Sequence, residues 1–219
     1  MTVTRADLEA DRVRQYVRRT PLAPLLLSDA ELDASLQATL DAVPAGEDLW
    51  LFAYGSLIWN PMIRFRERRP ATLHGYHRGF YLLSRINRGT PRQPGLVLAL
   101  DRGGCCRGVA YRIARAEAES ELRLLWRREM LLGSYQPRLL PLRAQGQVVK
   151  GLAFVVNRAG SGYAGRLSEE ETVQRLLQAR GYYGSGAEYL LRTAEGLLES
   201  GIRDRHLLRL RELVLRRLG

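Results

Sequence analysis

The run Leu49-Trp50-Leu51-Phe52-Ala53-Tyr54, followed by Gly55-Ser56-Leu57, decides how the rest of the chain is read. Six apolar residues ended by a Gly-Ser turn are too short for a buried helix and suit a strand covered on both faces. On its C-terminal side, further strands are predicted at Ala71 to Ser84, Gly95 to Leu100, Cys105 to Ile113, Arg138 to Leu142 and Val148 to Val156. Asn87-Arg88-Gly89-Thr90-Pro91 and Arg102-Gly103-Gly104 read as the turns between them. One helix, Ala116 to Leu132, interrupts this series, and three follow it: Glu169 to Arg180, opened by the capping box Ser168-x-x-Glu171, then Ala187 to Glu199 and Asp204 to Leu218. On its N-terminal side, Thr4 to Arg19 reads as a charged helix broken by Pro21 and Pro24. Ser28-x-x-Glu31 caps a second helix with Leu32, Leu36, Leu40 and Val43 on one stripe, and Pro44-Ala45-Gly46 end it. The pattern predicts an α+β fold with a curled or closed sheet, as a helical extension over residues 1–46 and one domain over 47–219.

Composition narrows the class of function. The chain has 219 residues and a formal charge of +11, and Lys150 is its only lysine. Apolar content of 46% and charged content of 26% fit a folded globular protein and exclude disordered and collagen-like chains. The longest apolar stretches, such as Gly95 to Leu100, fall far short of the ~18 residues of a membrane span. The opening MTVTRADLEADRV interleaves charges and does not read as a secretory signal. Cys105 and Cys106 are adjacent, so on a strand they point to opposite faces and serve packing in a reducing, cytoplasmic setting. Arginines are spread along the whole chain, and acids interrupt their clusters at Arg64 to Arg69 and Arg203 to Arg217. That distribution reads as compositional background rather than a nucleic-acid surface.

Among residues able to carry chemistry, Glu129 stands out. It continues the apolar stripe of Ala118, Leu122, Leu125 and Trp126, lying within ~20° of Leu122 on a helical wheel. A carboxylate on a buried face is held in an ion pair or has its pKa raised toward neutrality, the state a general acid/base needs. Residue pattern alone leaves both readings open. The Gly55-Ser56-Leu57 turn can converge backbone N–H groups on an oxygen. Ser56 lacks the glycines of a nucleophile elbow, and no Gly-Lys-Ser/Thr occurs for a phosphate loop. Gly181 to Tyr189 reads as a flexible, tyrosine-rich connection whose glycine spacing does not match a dinucleotide site. His74, His77 and His206 have no zinc-like spacing with the cysteines, so no metal is expected.

Several ordered motifs together resemble the ChaC-type gamma-glutamylcyclotransferases over about residues 49 to 215. They are Phe52 to Pro61 (FAYGSLIWNP), Leu73 to Arg78 (LHGYHR), Arg88-Gly89-Thr90, Gly108 to Arg112 (GVAYR), Leu125 to Met130 (LWRREM) and Glu188-Tyr189-Leu190. The resemblance implies a small mixed β-barrel with surrounding helices, and cleavage of glutathione to 5-oxoproline and Cys-Gly without a cofactor. It implies Glu129 as the catalytic residue, with Tyr54, Gly55, Ser56, Leu57, Ile58, Trp59 and Tyr189 binding substrate. Ala53 and Gly186 stand where that family usually carries Gly and Asn, the second change removing or replacing a polar contact near Tyr189. Activity on other gamma-glutamyl amines, or a regulatory or RNA-binding role, is the alternative. The expected partner is the small-molecule substrate glutathione, with neither nucleic acid nor membrane, and the oligomeric state is left open. Glutathione is an anion at neutral pH, so a positively charged protein would speed its arrival.

Overall fold

The computed structural model describes residues 3–219. Five strands form a closed barrel in the order β1-β3-β2-β4-β5. They are β1 (Leu49–Ala53), β2 (Glu67–Ser84), β3 (Gly95–Ile113), β4 (Tyr135–Ala144) and β5 (Gln147–Val156). Neighbours are antiparallel except along β5, where Trp50 and Leu51 of β1 run parallel to Gly151 and Leu152, and Leu100 of β3 runs parallel to Val155. All five residues of β1 are buried, as its unbroken apolar run predicts for a strand covered on both faces.

β3 corrects the sequence reading. Gly95 to Leu100 and Cys105 to Ile113 are one strand, and Arg102-Gly103-Gly104 is no turn. Gly103 and Gly104 adopt φ of 103° and 68°, opposite Gly75 at 82°, and the β2–β3 register shifts between His74 and Tyr76. A Gly-Gly pair marks a bend within a strand as readily as a turn between two. Cys105 is exposed and Cys106 buried, as alternation requires.

The helices cover the barrel. The predicted Thr4–Arg19 helix is two, α1 (Arg5–Glu9) and α2 (Arg12–Val17), broken at Asp11 with φ of 52°. α3 (Asp29–Asp41) carries its Ser28 capping box, and Leu32, Leu36, Leu40 and Val43 are buried. α4 (Arg115–Leu125) continues into a wider π turn over Trp126–Met130, where a regular helix to Leu132 was expected. Such wide turns recur at functional sites. α5 (Glu169–Gln178), α6 (Gly186–Glu199) and α7 (Arg205–Leu218) complete the fold. The expected flexible link before α6 is instead a tight hairpin, with β6 (Arg180–Gly181) paired to β7 (Gly184–Ser185). Leu8, Val13, Leu36 and Leu40 join the same hydrophobic cluster as the barrel residues Leu51, Leu73 and Leu100. No helix among the described residues is long and apolar enough to cross a membrane.

Candidate active site

The end of β1 leads into a single 3₁₀ turn, Ser56–Ile58, which brings the chain across the mouth of the barrel. Here Tyr54, Gly55, Ser56 and Leu57 meet Glu129 from the π turn, Tyr189 from α6, Leu98 from β3, Tyr135 from β4 and Phe154 from β5 around one small chamber. The chamber adjoins a wider outer cleft that shares part of its lining. Ser56, Glu129, Tyr135 and Tyr189 line both, and Trp59, Asn87, Arg88 and Arg128 line the cleft alone.

Each wall is fixed by a bond the fold supplies. The Tyr54 hydroxyl donates to the Phe154 carbonyl at 2.8 Å, and the Tyr135 hydroxyl to the Leu98 carbonyl at 3.2 Å. The Leu98 amide donates to the Tyr189 hydroxyl at 3.2 Å, tying α6 to the barrel. Gly55 is required by this approach, since a Cβ there would sit 3.1 Å from the Tyr189 oxygen. Arg78, buried beneath the turn, donates to the Tyr54 carbonyl at 2.8 Å and pairs with Asp204 at 2.7 Å.

The Glu129 side chain is 15% exposed, and its Oε1 lies 3.0 Å from Arg128 Nε. Burial raises its pKa above the ordinary carboxylate range, against the opposing pull of the Arg128 charge. Burial also pushes the Tyr189 phenol up to about 12, and holds Tyr54 and Tyr135 well above the usual phenol range. All three phenols are therefore neutral donors and acceptors at pH 7. Glu129 is the one carboxyl among the residues lining the chamber, and burial makes it hold its proton more tightly than an exposed carboxyl does.

The predicted residues come together with one exception. Ile58 lines neither space: its side chain packs on Gly196 and its carbonyl accepts from the Tyr111 hydroxyl at 3.2 Å. Trp59 sits at the cleft edge, its indole N–H donating to Thr193 Oγ1 at 3.0 Å. At position 186 no side chain is accommodated, because a Cβ would fall 2.9 Å from the Leu176 backbone. Sequence reading passed over four polar residues. Arg128 holds Ser56 Oγ at 2.7 Å and the Asn60 carbonyl at 2.8 Å, and the only signal for it was its place beside Glu129. Arg88 is 4% exposed and lies over the Tyr189 ring at 5.7 Å. Arg88 Nη1 pairs with Glu188 Oε2 at 3.5 Å without a hydrogen bond, and Asn87 Oδ1 is buried with no hydrogen-bond partner among the described residues, so both keep polar capacity for a ligand. Tyr135 lies outside the sequence motifs, five residues beyond Met130, and gave no signal of its own.

Comparison with known proteins agrees with this arrangement. The family model described as ChaC-like protein matches residues 49–217. A glutathione-specific gamma-glutamylcyclotransferase of Escherichia coli K12 is 39% identical over 181 residues, covering 82% of this chain and 78% of that protein. The human glutathione-specific gamma-glutamylcyclotransferase 1 is 36% identical over 73% of this chain and 75% of its own. A yeast gamma-glutamyl cyclotransferase specific to glutathione shares the fold, with a TM-score of 0.72 at 22% identity over 78% of this chain and 97% of that one. With the matched span running from β1 through α7 and holding both the turn at Gly55 and Glu129, the chain belongs to the ChaC-like family.

Proposed function

We propose that the protein is a glutathione-specific gamma-glutamylcyclotransferase with Glu129 as its general acid/base, residues 47–219 forming the catalytic domain and 1–46 an extension. The observation that carries this reading is a buried carboxyl, its pKa raised by that burial, facing the Gly55 turn in a chamber otherwise lined by neutral groups. In glutathione the α-amine of the glutamyl residue can reach its own γ-carbonyl, so the nucleophile belongs to the substrate. The task left to the protein is to fold the chain into that geometry and to move protons.

Glu129 takes a proton from the α-ammonium, and the freed amine forms the new C–N bond that closes the five-membered ring. As the old C–N bond to cysteine breaks, Glu129 gives that proton to the leaving nitrogen, then takes the second proton from the ring nitrogen, which becomes the lactam N–H, and passes it to the released amine, which departs as the α-ammonium of Cys-Gly. The products are 5-oxoproline and Cys-Gly, with no water consumed. The backbone N–H groups of Gly55, Ser56 and Leu57 would hold the glutamyl carboxylate or the developing oxyanion. Arg88, ion-paired with Glu188 at 3.5 Å, and Asn87 Oδ1, without a hydrogen-bond partner among the described residues, would meet the carboxylate and amide of the dipeptide half. No step calls for a cofactor, and the free cysteines fit the cytoplasmic setting such a thiol substrate occupies.

The test is direct. Purified protein with glutathione is expected to release 5-oxoproline and Cys-Gly in equal amounts, and Glu129→Gln to lower kcat by roughly 10²- to 10⁴-fold while keeping the fold. Near-normal turnover by that variant would remove Glu129 from the chemistry.

A further inference from the structure

The segment from Val3 to Val17 lies outside the residues the family model matches, yet it is fastened to the rim of the cleft at several points. Asn60 Nδ2 donates to the Val3 carbonyl at 2.9 Å, and the Asn60 carbonyl in turn accepts from Arg128. Arg5 places both guanidinium nitrogens on Glu121, at 2.7 and 2.9 Å, and that carboxylate is itself 1% exposed and takes the Arg64 amide. Arg127 donates to the carbonyls of Leu8 and Glu9, closing the end of α1. At the other side of the cleft, the Tyr16 ring stacks on Tyr182 at 4.6 Å, next to Tyr183 in the β6–β7 hairpin. The segment thus spans from the loop after Gly55 to the hairpin before α6, and both of those supply cleft residues.

Two of its side chains, Val3 and Val13, line the cleft itself, beside Ile86, Val97, Leu131 and Leu132. Val13 is 6% exposed and Val3 half-buried. Neither borders the inner chamber that holds the Gly55 turn and Glu129. α3 differs: its apolar stripe packs on the core, and none of its residues lines the cleft. Glu121 is buried and Arg5 is 31% exposed, so the pair satisfies a buried carboxylate from the rim and in doing so fixes the position of a wall.

We infer that the Val3–Val17 segment forms a specificity-determining wall, with Val3 and Val13 packing against the leaving-amine half of the gamma-glutamyl substrate. The inference rests on the cyclotransferase reading above and adds to it a part of the chain outside the family domain. The glutamyl end is held in the chamber by β1, β3 and α6. The amine end, with the side chain next to the scissile amide, meets an apolar surface on one side and the Arg88–Asn87 pair on the other. Such a surface favours leaving amines whose adjacent side chain is small and weakly polar, as a cysteine thiol is.

Truncation is a poor test, because Leu8 and Val17 are buried and their loss would unfold the region. Point variants in the full chain separate the roles. Val3→Trp fills the outer cleft and is expected to raise KM for glutathione about tenfold or more, with kcat within about twofold of normal. Val13→Ala and Val3→Ala, which open the wall, are expected to raise KM about threefold with the same unchanged kcat. Melting temperatures recorded alongside identify any variant that has lost its fold, and the Val3→Ala protein, altered at a half-buried position, serves where Val3→Trp has. KM unmoved in all three, or kcat falling at constant KM, overturns the wall while leaving the cyclotransferase reading intact. Failure of the unsubstituted protein to release 5-oxoproline overturns that reading and the wall together.

Discussion

Glu129 and Arg128 are neighbours in sequence with opposite effects on one proton. Burial raises the Glu129 pKa and the Arg128 charge lowers it, with burial the stronger. As a base Glu129 must be ionised, so kcat/KM falls as pH drops through that raised value. Arg128→Met removes the opposing charge, and the acid limb of the pH–rate profile is expected to move to higher pH. Stability follows the same group. A carboxyl whose pKa is higher folded than unfolded holds its proton better in the folded state, so it favours folding at low pH and opposes it once ionised. The unsubstituted protein should therefore lose stability, relative to Glu129→Gln, as pH rises from below the ordinary carboxylate range through the raised value. Urea unfolding of both proteins across that range reads the difference, and parallel curves would contradict the burial assigned to Glu129. Helical phase alone brought Glu129 to notice, because a carboxylate inside an apolar stripe is a local conflict visible in sequence. Arg88 and Tyr135 were not legible, since their burial depends on β3, β4 and α6 meeting around them, and no local pattern encodes that meeting.

Local signals located most elements. The capping boxes at Ser28 and Ser168 opened α3 and α5 where the sequence predicted, because the cap and the backbone it satisfies lie within three residues of each other. Ser168→Ala is accordingly expected to cost about 1 kcal/mol in unfolding free energy, with KM for glutathione unchanged, as α5 lines no part of the cleft. The errors cluster where glycine or a polar break has two meanings. Gly103-Gly104 bends one long strand, and Gly181 and Gly184 fit a hairpin that packs so tightly on the β2–β3 turn that a Cβ on Gly181 would lie 2.5 Å from the Gly89 amide. The break at Asp11 gave no warning, for no proline or glycine stands there and the left-handed turn answers to what α1 and α2 pack against.

For the whole molecule, the feature with the widest reach is the barrel seam, where β1 lies parallel to β5 a hundred residues further on. Contacts that distant in sequence require large loops to close before they contribute, and parallel pairings form slowly for that reason. The Tyr54–Phe154 bond inside the chamber spans 100 positions, and the Trp59–Thr193 bond at the cleft edge spans 134. On refolding from urea, far-UV circular dichroism is therefore expected to recover before 5-oxoproline release does, and simultaneous recovery would contradict this order. During synthesis the same geometry acts as a clock. A ribosome must extrude the chain beyond Tyr189 before the chamber has all its walls, and beyond Thr193 before its rim is fixed, so the nascent protein spends most of its translation without a working site.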